Sequence, residues 1–153
     1  MVHERMADLI HVYFEKHLDL PPEEAVKLHK EYYQTYGLAI AGLVTKHQVD
    51  PLEFNTEVDD KVPLNELIAP RPELHKLLKD VDRSRVKLWL FTNAYKTHAW
   101  RVIRILGLEG MFDGLTFCDY ASLPFLCKPG EEVYAKAMSE AGVQKVDDCY
   151  FVG

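Results

Sequence analysis

The sequence predicts an α/β protein, a parallel sheet with helices on both faces, preceded by an all-helical segment. Three observations carry this reading: a purely helical periodicity over residues 1–68, a break at Ala69-Pro70-Arg71-Pro72, and beyond it short apolar runs alternating with amphipathic stretches. Strands that alternate with helices of about a dozen residues imply right-handed crossovers and parallel pairing.

Met6, Leu9, Ile10, Tyr13, Phe14 and His17 recur at the spacing of one helix face, and Pro21-Pro22 closes that helix. Glu23 and Glu24 belong to the first turn of a second helix, whose apolar stripe is Ala25, Leu28, Tyr32 and Tyr36 and whose stop is Gly37. Leu38 to Val44 is apolar all round, which fits either a buried helix or a close packing contact at Gly42. Asp50-Pro51-Leu52-Glu53 has the cap residue, the first-turn proline and the acid of a further helix start. Asp59-Asp60 read as the solvated end of that helical region.

After the prolines, Leu74, Leu77, Leu78 and Val81 mark a short helix, and Val86 to Phe91 is an apolar run of strand length interrupted only by Lys87. Ala99, Val102, Ile103 and Leu106 then follow at helical spacing, with Arg101 and Arg104 on the opposite side and Gly107 as the stop. Leu115 to Cys118 is expected as a second strand, Glu131 to Ala141 as a helix ended by Gly142, and Cys149 to Val152 as a third strand. Asp147 and Asp148 fall in the loop before it.

Composition narrows the function. A chain of 153 residues suits one domain, or one domain with a modest insertion. The formal net charge of −6, with no basic stripe, argues against nucleic acid as partner. No apolar run has the length of a membrane span, and the charged N-terminus lacks a secretory pattern, so a cytosolic or nuclear setting is expected. Cys118, Cys127 and Cys149 are an odd number without paired spacing, which indicates neither a disulfide framework nor a zinc site and leaves them reduced.

Two places bear on chemistry. Thr92-Asn93 lies at the carboxyl end of the first strand, where a parallel α/β sheet places its ligand and where free N–H groups of the following helix favour an anion. The same two residue types are ordinary helix caps. Lys128, after the second strand, can project from the same edge, although a lone lysine before a helix is commonly a solvated surface residue.

Tyr36-Gly37-Leu38-Ala39-Ile40, Leu88-Trp89-Leu90-Phe91-Thr92-Asn93-Ala94-Tyr95-Lys96, Phe112-Asp113-Gly114-Leu115 and Cys127-Lys128-Pro129 resemble the haloacid dehalogenase (HAD) superfamily of phosphatases, and within it the fungal pyrimidine 5′-nucleotidases. The resemblance runs over almost the whole chain. It implies a partial HAD-like (Rossmannoid) core over residues 69–153, a helical cap over residues 1–68, and magnesium-dependent hydrolysis of a small phosphate monoester, a pyrimidine nucleoside 5′-monophosphate. Thr92 would hydrogen-bond the transferring phosphoryl group and Lys128 would neutralise its charge. Asn93, Tyr33, Tyr36 and Gly37 would contact substrate, and core packing is the competing account of the cap residues.

The resemblance also defines what this sequence lacks. The family's nucleophilic aspartate stands in a D-x-D-x-T motif on a strand that this sequence does not show, and the acidic pair that helps hold magnesium would follow Val152, where the chain reaches Gly153. The nucleophile and the metal ligands are therefore absent from this sequence. The expectations are an incomplete or inactive phosphatase chain, or a non-catalytic remnant that binds a phosphorylated small molecule or a protein. A strand edge without its neighbour also leads to an expectation of self-association.

Overall fold

The computed structural model describes residues 1–152. Among these described residues eight helices and two strands run in the order α1 (Val2–Leu18), α2 (Pro22–Tyr36), α3 (Ala39–Lys46), α4 (Pro51–Glu57), α5 (Leu64–Leu67), α6 (Pro72–Lys79), β1 (Trp89–Phe91), α7 (Lys96–Ile105), β2 (Gly114–Thr116) and α8 (Glu131–Ala141). Short 3₁₀ turns stand at Asp59–Lys61 and Val146–Asp148.

The helical punctuation follows the residues closely. Asp50 Oδ1 accepts the Leu52 N–H at 2.8 Å, with Pro51 in the first turn of α4. Gly37 ends α2 with φ of +77°. The stop of α1 is Asp19, in the left-handed conformation at φ of +53°, ahead of the proline pair; Pro22 instead opens α2. Leu38 to Val44 resolves into both alternatives at once: it is the buried helix α3, and the Tyr32 ring lies on Gly42 so closely that a Cβ there would collide with it. Contacts of α2 with α1 and α3 build a core from Phe14, Tyr32, Ile40 and Leu43. The same apolar cluster continues through Phe54 and Val58 into Tyr95, Cys118 and Tyr120, so burial does not stop at the proline break.

The sheet is smaller than the sequence predicts. β1 and β2 pair in parallel with Trp89 opposite Gly114, Leu90 opposite Leu115 and Phe91 opposite Thr116. Before Trp89 the ladder fades: Leu88 O still accepts the Asp113 N–H at 2.8 Å, but the Leu88 N–H donates to Asp113 Oδ2 at 2.8 Å, and the Val86 N–H turns back to Asp82 O at 3.2 Å. Trp89 lies across Gly114, where only a hydrogen fits, and its Nε1 donates to Thr116 Oγ1 at 2.9 Å.

The third strand expected at Cys149–Val152 is not formed. Cys149 is extended, and the segment has no regular structure and is exposed, with Tyr150 at 93% and Val152 at 92% exposure. Extended backbone becomes a strand only where it finds a ladder partner. Here the segment turns a side chain towards β1: the Phe151 and Phe91 ring centres are 6.2 Å apart in an edge-to-face arrangement. The apolar content of Tyr150, Phe151 and Val152 marks the segment as sheet-like, but pairing depends on a neighbour that local sequence does not specify. No helix among the described residues is long and apolar enough to cross a membrane.

Candidate active site

Thr92, Asn93 and Lys128 meet at the carboxyl end of β1. Asn93 does the joining. Its Oδ1 accepts the Lys128 N–H at 2.7 Å, and its Nδ2 donates to Lys128 O at 3.0 Å, so one side-chain amide satisfies both backbone groups of the lysine. The lysine side chain then folds back over the strand end, donating from Nζ to Phe91 O at 3.1 Å. Its ammonium stands 4.9 Å from the centre of the Phe91 ring and 5.5 Å from that of Phe151, within cation–π range of both. Among the described residues no carboxylate lies within ion-pair distance of it.

Thr92 continues the ladder by one hydrogen bond, from its N–H to Thr116 O at 3.0 Å, which fixes its Cα at the strand end. Its Oγ1 accepts the Ala94 N–H at 3.1 Å, leaving the hydroxyl proton to be donated. Neither Thr92 nor Asn93 caps a helix, because α7 begins at Lys96 with Tyr95 as its cap. The residue types allow the capping reading; the length of the intervening turn excludes it and also moves the helix N-terminus away from the threonine.

Two of the three cap residues expected as substrate contacts approach this cluster, but through backbone. The Cys127 Sγ donates to Tyr36 O at 3.5 Å, while the Tyr36 ring packs edge-to-face on Tyr32. Gly37 faces Lys128 directly: a Cβ on it would stand 2.5 Å from Lys128 O and 3.1 Å from Pro129 Cδ. Tyr33 is on the same helix, 56% exposed, and is not drawn into the cluster.

Gly37→Ala is therefore expected to cost more than an ordinary glycine substitution. The left-handed backbone alone costs about 1–2 kcal/mol for alanine, and displacing the Lys128 carbonyl adds strain of about 1–3 kcal/mol. Gly107 supplies the comparison, having φ of +70° and nothing within 4 Å of the place an alanine Cβ would take. Urea unfolding should place Gly37→Ala well below Gly107→Ala in midpoint; equal midpoints would show that the contact with Lys128 yields without strain.

Asp59 corrects the expectation of a solvated helix end. It is only 4% exposed, and its Oδ2 is buried without a hydrogen-bond partner. Burial pushes its carboxyl group up to about 7; the neighbouring Asp60 charge adds to this, while the Tyr120 hydroxyl and Arg101 act in the opposite direction. Tyr120 itself is raised well above the ordinary phenol range by burial and by Asp59. Arg101 is spent on backbone, donating to Asp59 O and Asp60 O at 3.1 Å and to Val62 O at 3.0 Å. His98, held neutral by burial, has Nδ1 3.3 Å from Asp59 O.

The groups gathered around Thr92 do not suit the magnesium ion implied by the resemblance. A cation site needs clustered oxygen ligands, and here the prominent charge is an ammonium. Among the described residues, no group of three or more His, Cys, Asp or Glu is placed to hold a metal ion. An open groove of about 440 Å³ lined by Ala135, Met138, Ser139, Gly142, Val143 and Gln144 lies at the C-terminal end of α8, whereas Lys128 precedes that helix, and the groove has no charged lining.

Comparison with known proteins places the chain in a family. A family model described as haloacid dehalogenase-like hydrolase matches residues 3–153. The chain is similar to Phosphate metabolism protein 8 of Saccharomyces cerevisiae, with 36% identity over 148 residues, covering 92% of this chain and 46% of that protein. It thus spans about half the length of the curated relative it matches. On the family match across nearly its whole length, the chain belongs to the haloacid dehalogenase-like hydrolases.

Proposed function

We propose that this chain carries the phosphoryl-binding part of a HAD-type phosphatase site, and that its ligands are small phosphate monoesters of the pyrimidine nucleoside 5′-monophosphate class. The observation that carries the reading is Lys128, its backbone clamped by Asn93 and its ammonium held on Phe91 O at the end of β1, without a carboxylate partner among the described residues. A phosphoryl group brings the negative oxygens that this lysine lacks, and the Thr92 hydroxyl supplies an uncharged donor to the same group. The Phe91 and Phe151 rings hold the ammonium within cation–π range, which helps fix its position at the strand end. The pyrimidine class rests on the resemblance of the Leu88 to Lys96 block.

Calorimetric titration with inorganic phosphate and with UMP tests this. Binding is expected with a dissociation constant on the order of a millimolar, roughly 4 kcal/mol. Thr92→Val combined with Lys128→Ala should abolish it. Equal affinity in wild type and double mutant would rule the site out.

The proposal extends to self-association. Among the described residues no third strand pairs with β1 or β2, and Val86, Tyr150, Phe151 and Val152 leave large apolar side chains exposed. An open edge beside apolar surface is a template for another chain. Light scattering coupled to size exclusion should show the mean mass rising with concentration. A constant monomer mass across the range would remove this part of the reading.

A further inference from the structure

We infer that His11 and His29 form an acid-released latch between α1 and α2, closed while at least one imidazole is neutral and opened when both carry a proton. His11 Nε2 and His29 Nδ1 are 3.0 Å apart across the helix pair, and the two rings meet edge-to-face with their centres 5.0 Å apart. Both residues are half-buried. The His29 ring also meets Phe14 edge-to-face at 6.2 Å, and Phe14 is fully buried. The hydrogen bond therefore joins the two helices beside the residues that α1 contributes to the core, Ile10, Tyr13 and Phe14.

The chemistry of the bond sets its limit. An imidazole donates through N–H and accepts only through a nitrogen that carries no proton, so two neutral rings, or one neutral and one charged, keep the contact. Two imidazolium rings have no acceptor between them and repel at this distance. Burial first, then the His11 charge and the His3 charge, bring His29 down to about 4 from an ordinary 6.5. Among the described residues no carboxylate lies within ion-pair distance of His3, His11 or His29. The charged groups of the surrounding elements are engaged otherwise. On α1, Glu4 pairs with the N-terminal amine and Asp8 with Arg5. Glu57 of α4, which packs on α1, pairs with Lys16 and His17, and His47 at the end of α3, which packs on α2, is 2.8 Å from the Tyr32 hydroxyl.

A folded value below the unfolded one means that the opened helices bind the second proton more tightly than the closed pair does. The stability held by the latch is fully present above about pH 6.5 and is lost as pH falls through about 4. The latch is independent of whether the Lys128 loop binds phosphate.

The test is hydrogen exchange of the full chain between pH 7 and pH 4.5, read by mass spectrometry on peptides from α1 and α8 and corrected for the intrinsic dependence of exchange on pH. Protection of α1 should fall about ten-fold across this range while that of α8 holds. His29→Asn keeps an acceptor near the Nδ1 position and takes no proton, so its α1 protection should stay level. Asp59, which moves stability in the opposite direction over the same range, is common to both proteins. In the wild type the His29 ring resonance should titrate with a midpoint well below 6.5, a reading that needs no variant, and His11→Ala should raise that midpoint. Unchanged α1 protection in the wild type, equal loss in wild type and His29→Asn, equal loss in α1 and α8, or an ordinary imidazole midpoint for His29 would overturn the inference.

Discussion

Asp59→Asn is expected to stabilise the chain at and above neutral pH and to leave it little changed near pH 4. The carboxyl group is held up at about 7 in the folded chain against an ordinary value of 3.8. A folded value raised above the unfolded one means that the folded state holds the proton more tightly. The stability associated with that proton is fully present below about pH 4 and is lost as pH rises through about 7. A displacement of this size corresponds to on the order of 4 kcal/mol, a large part of a typical small-domain stability.

The groups around the carboxyl offer it little compensation once it is charged. Asp60 adds a second negative charge, His98 is neutral, Tyr120 gives one hydroxyl, and Arg101 bonds the carbonyls of Asp59, Asp60 and Val62. Asparagine has the same shape, never ionises and can accept from Tyr120. Urea unfolding at a series of pH values should show the two proteins together in mild acid and diverging as pH rises, with the variant the more stable. Asp60→Asn, at an exposed position, should show no such divergence. Parallel curves for wild type and Asp59→Asn would mean that the buried carboxylate is solvated by groups other than these.

The helices are legible because their signals are local. Asp50-Pro51-Glu53 specifies its own cap, Gly37 its own stop, and Ile10, Tyr13 and Phe14 repeat the helical period that the core reads. The strands are legible as apolar runs but not in extent. Val86 to Leu88 look like strand, yet the Leu88 N–H goes to the Asp113 carboxylate, far along the chain, and the Val86 N–H to Asp82 O. Cys149 to Val152 look like strand and have no ladder partner among the described residues. At the site, Thr92, Asn93 and Lys128 are visible as residue types at the sheet's carboxyl edge, whereas the Asn93 clamp on the lysine backbone spans 35 residues and has no sequence periodicity. Asp59 is hidden for a related reason. An acidic pair after a helix is normally solvated, and only the packing of α7 and Tyr120 over the turn buries it.

No turnover of UMP, CMP or p-nitrophenyl phosphate above background is expected from this chain, even with magnesium present. Thr92 and Lys128 can gather phosphate oxygens, but hydrolysis through a covalent intermediate needs a carboxylate to attack phosphorus. Carboxylates near the sheet are engaged elsewhere: Asp113 in an ion pair with Arg83, Glu140 with Thr116 and Lys136, Asp119 in its own turn, accepting the Ala121 N–H, and Asp59 buried under Tyr120. Removing a covalent nucleophile from an enzyme costs on the order of a million-fold in rate, which lies beyond what the remaining lysine and threonine can recover by charge stabilisation alone. The measurement is phosphate release over many hours at an enzyme concentration high enough to detect a few turnovers, with Lys128→Ala in parallel. Activity equal in both proteins is a contaminating phosphatase and leaves the prediction standing. Repeated turnover in the wild type that disappears in Lys128→Ala would show that this half-site catalyses phosphoryl transfer with water as its nucleophile, and the requirement for a carboxylate at the end of β1 would have to be given up.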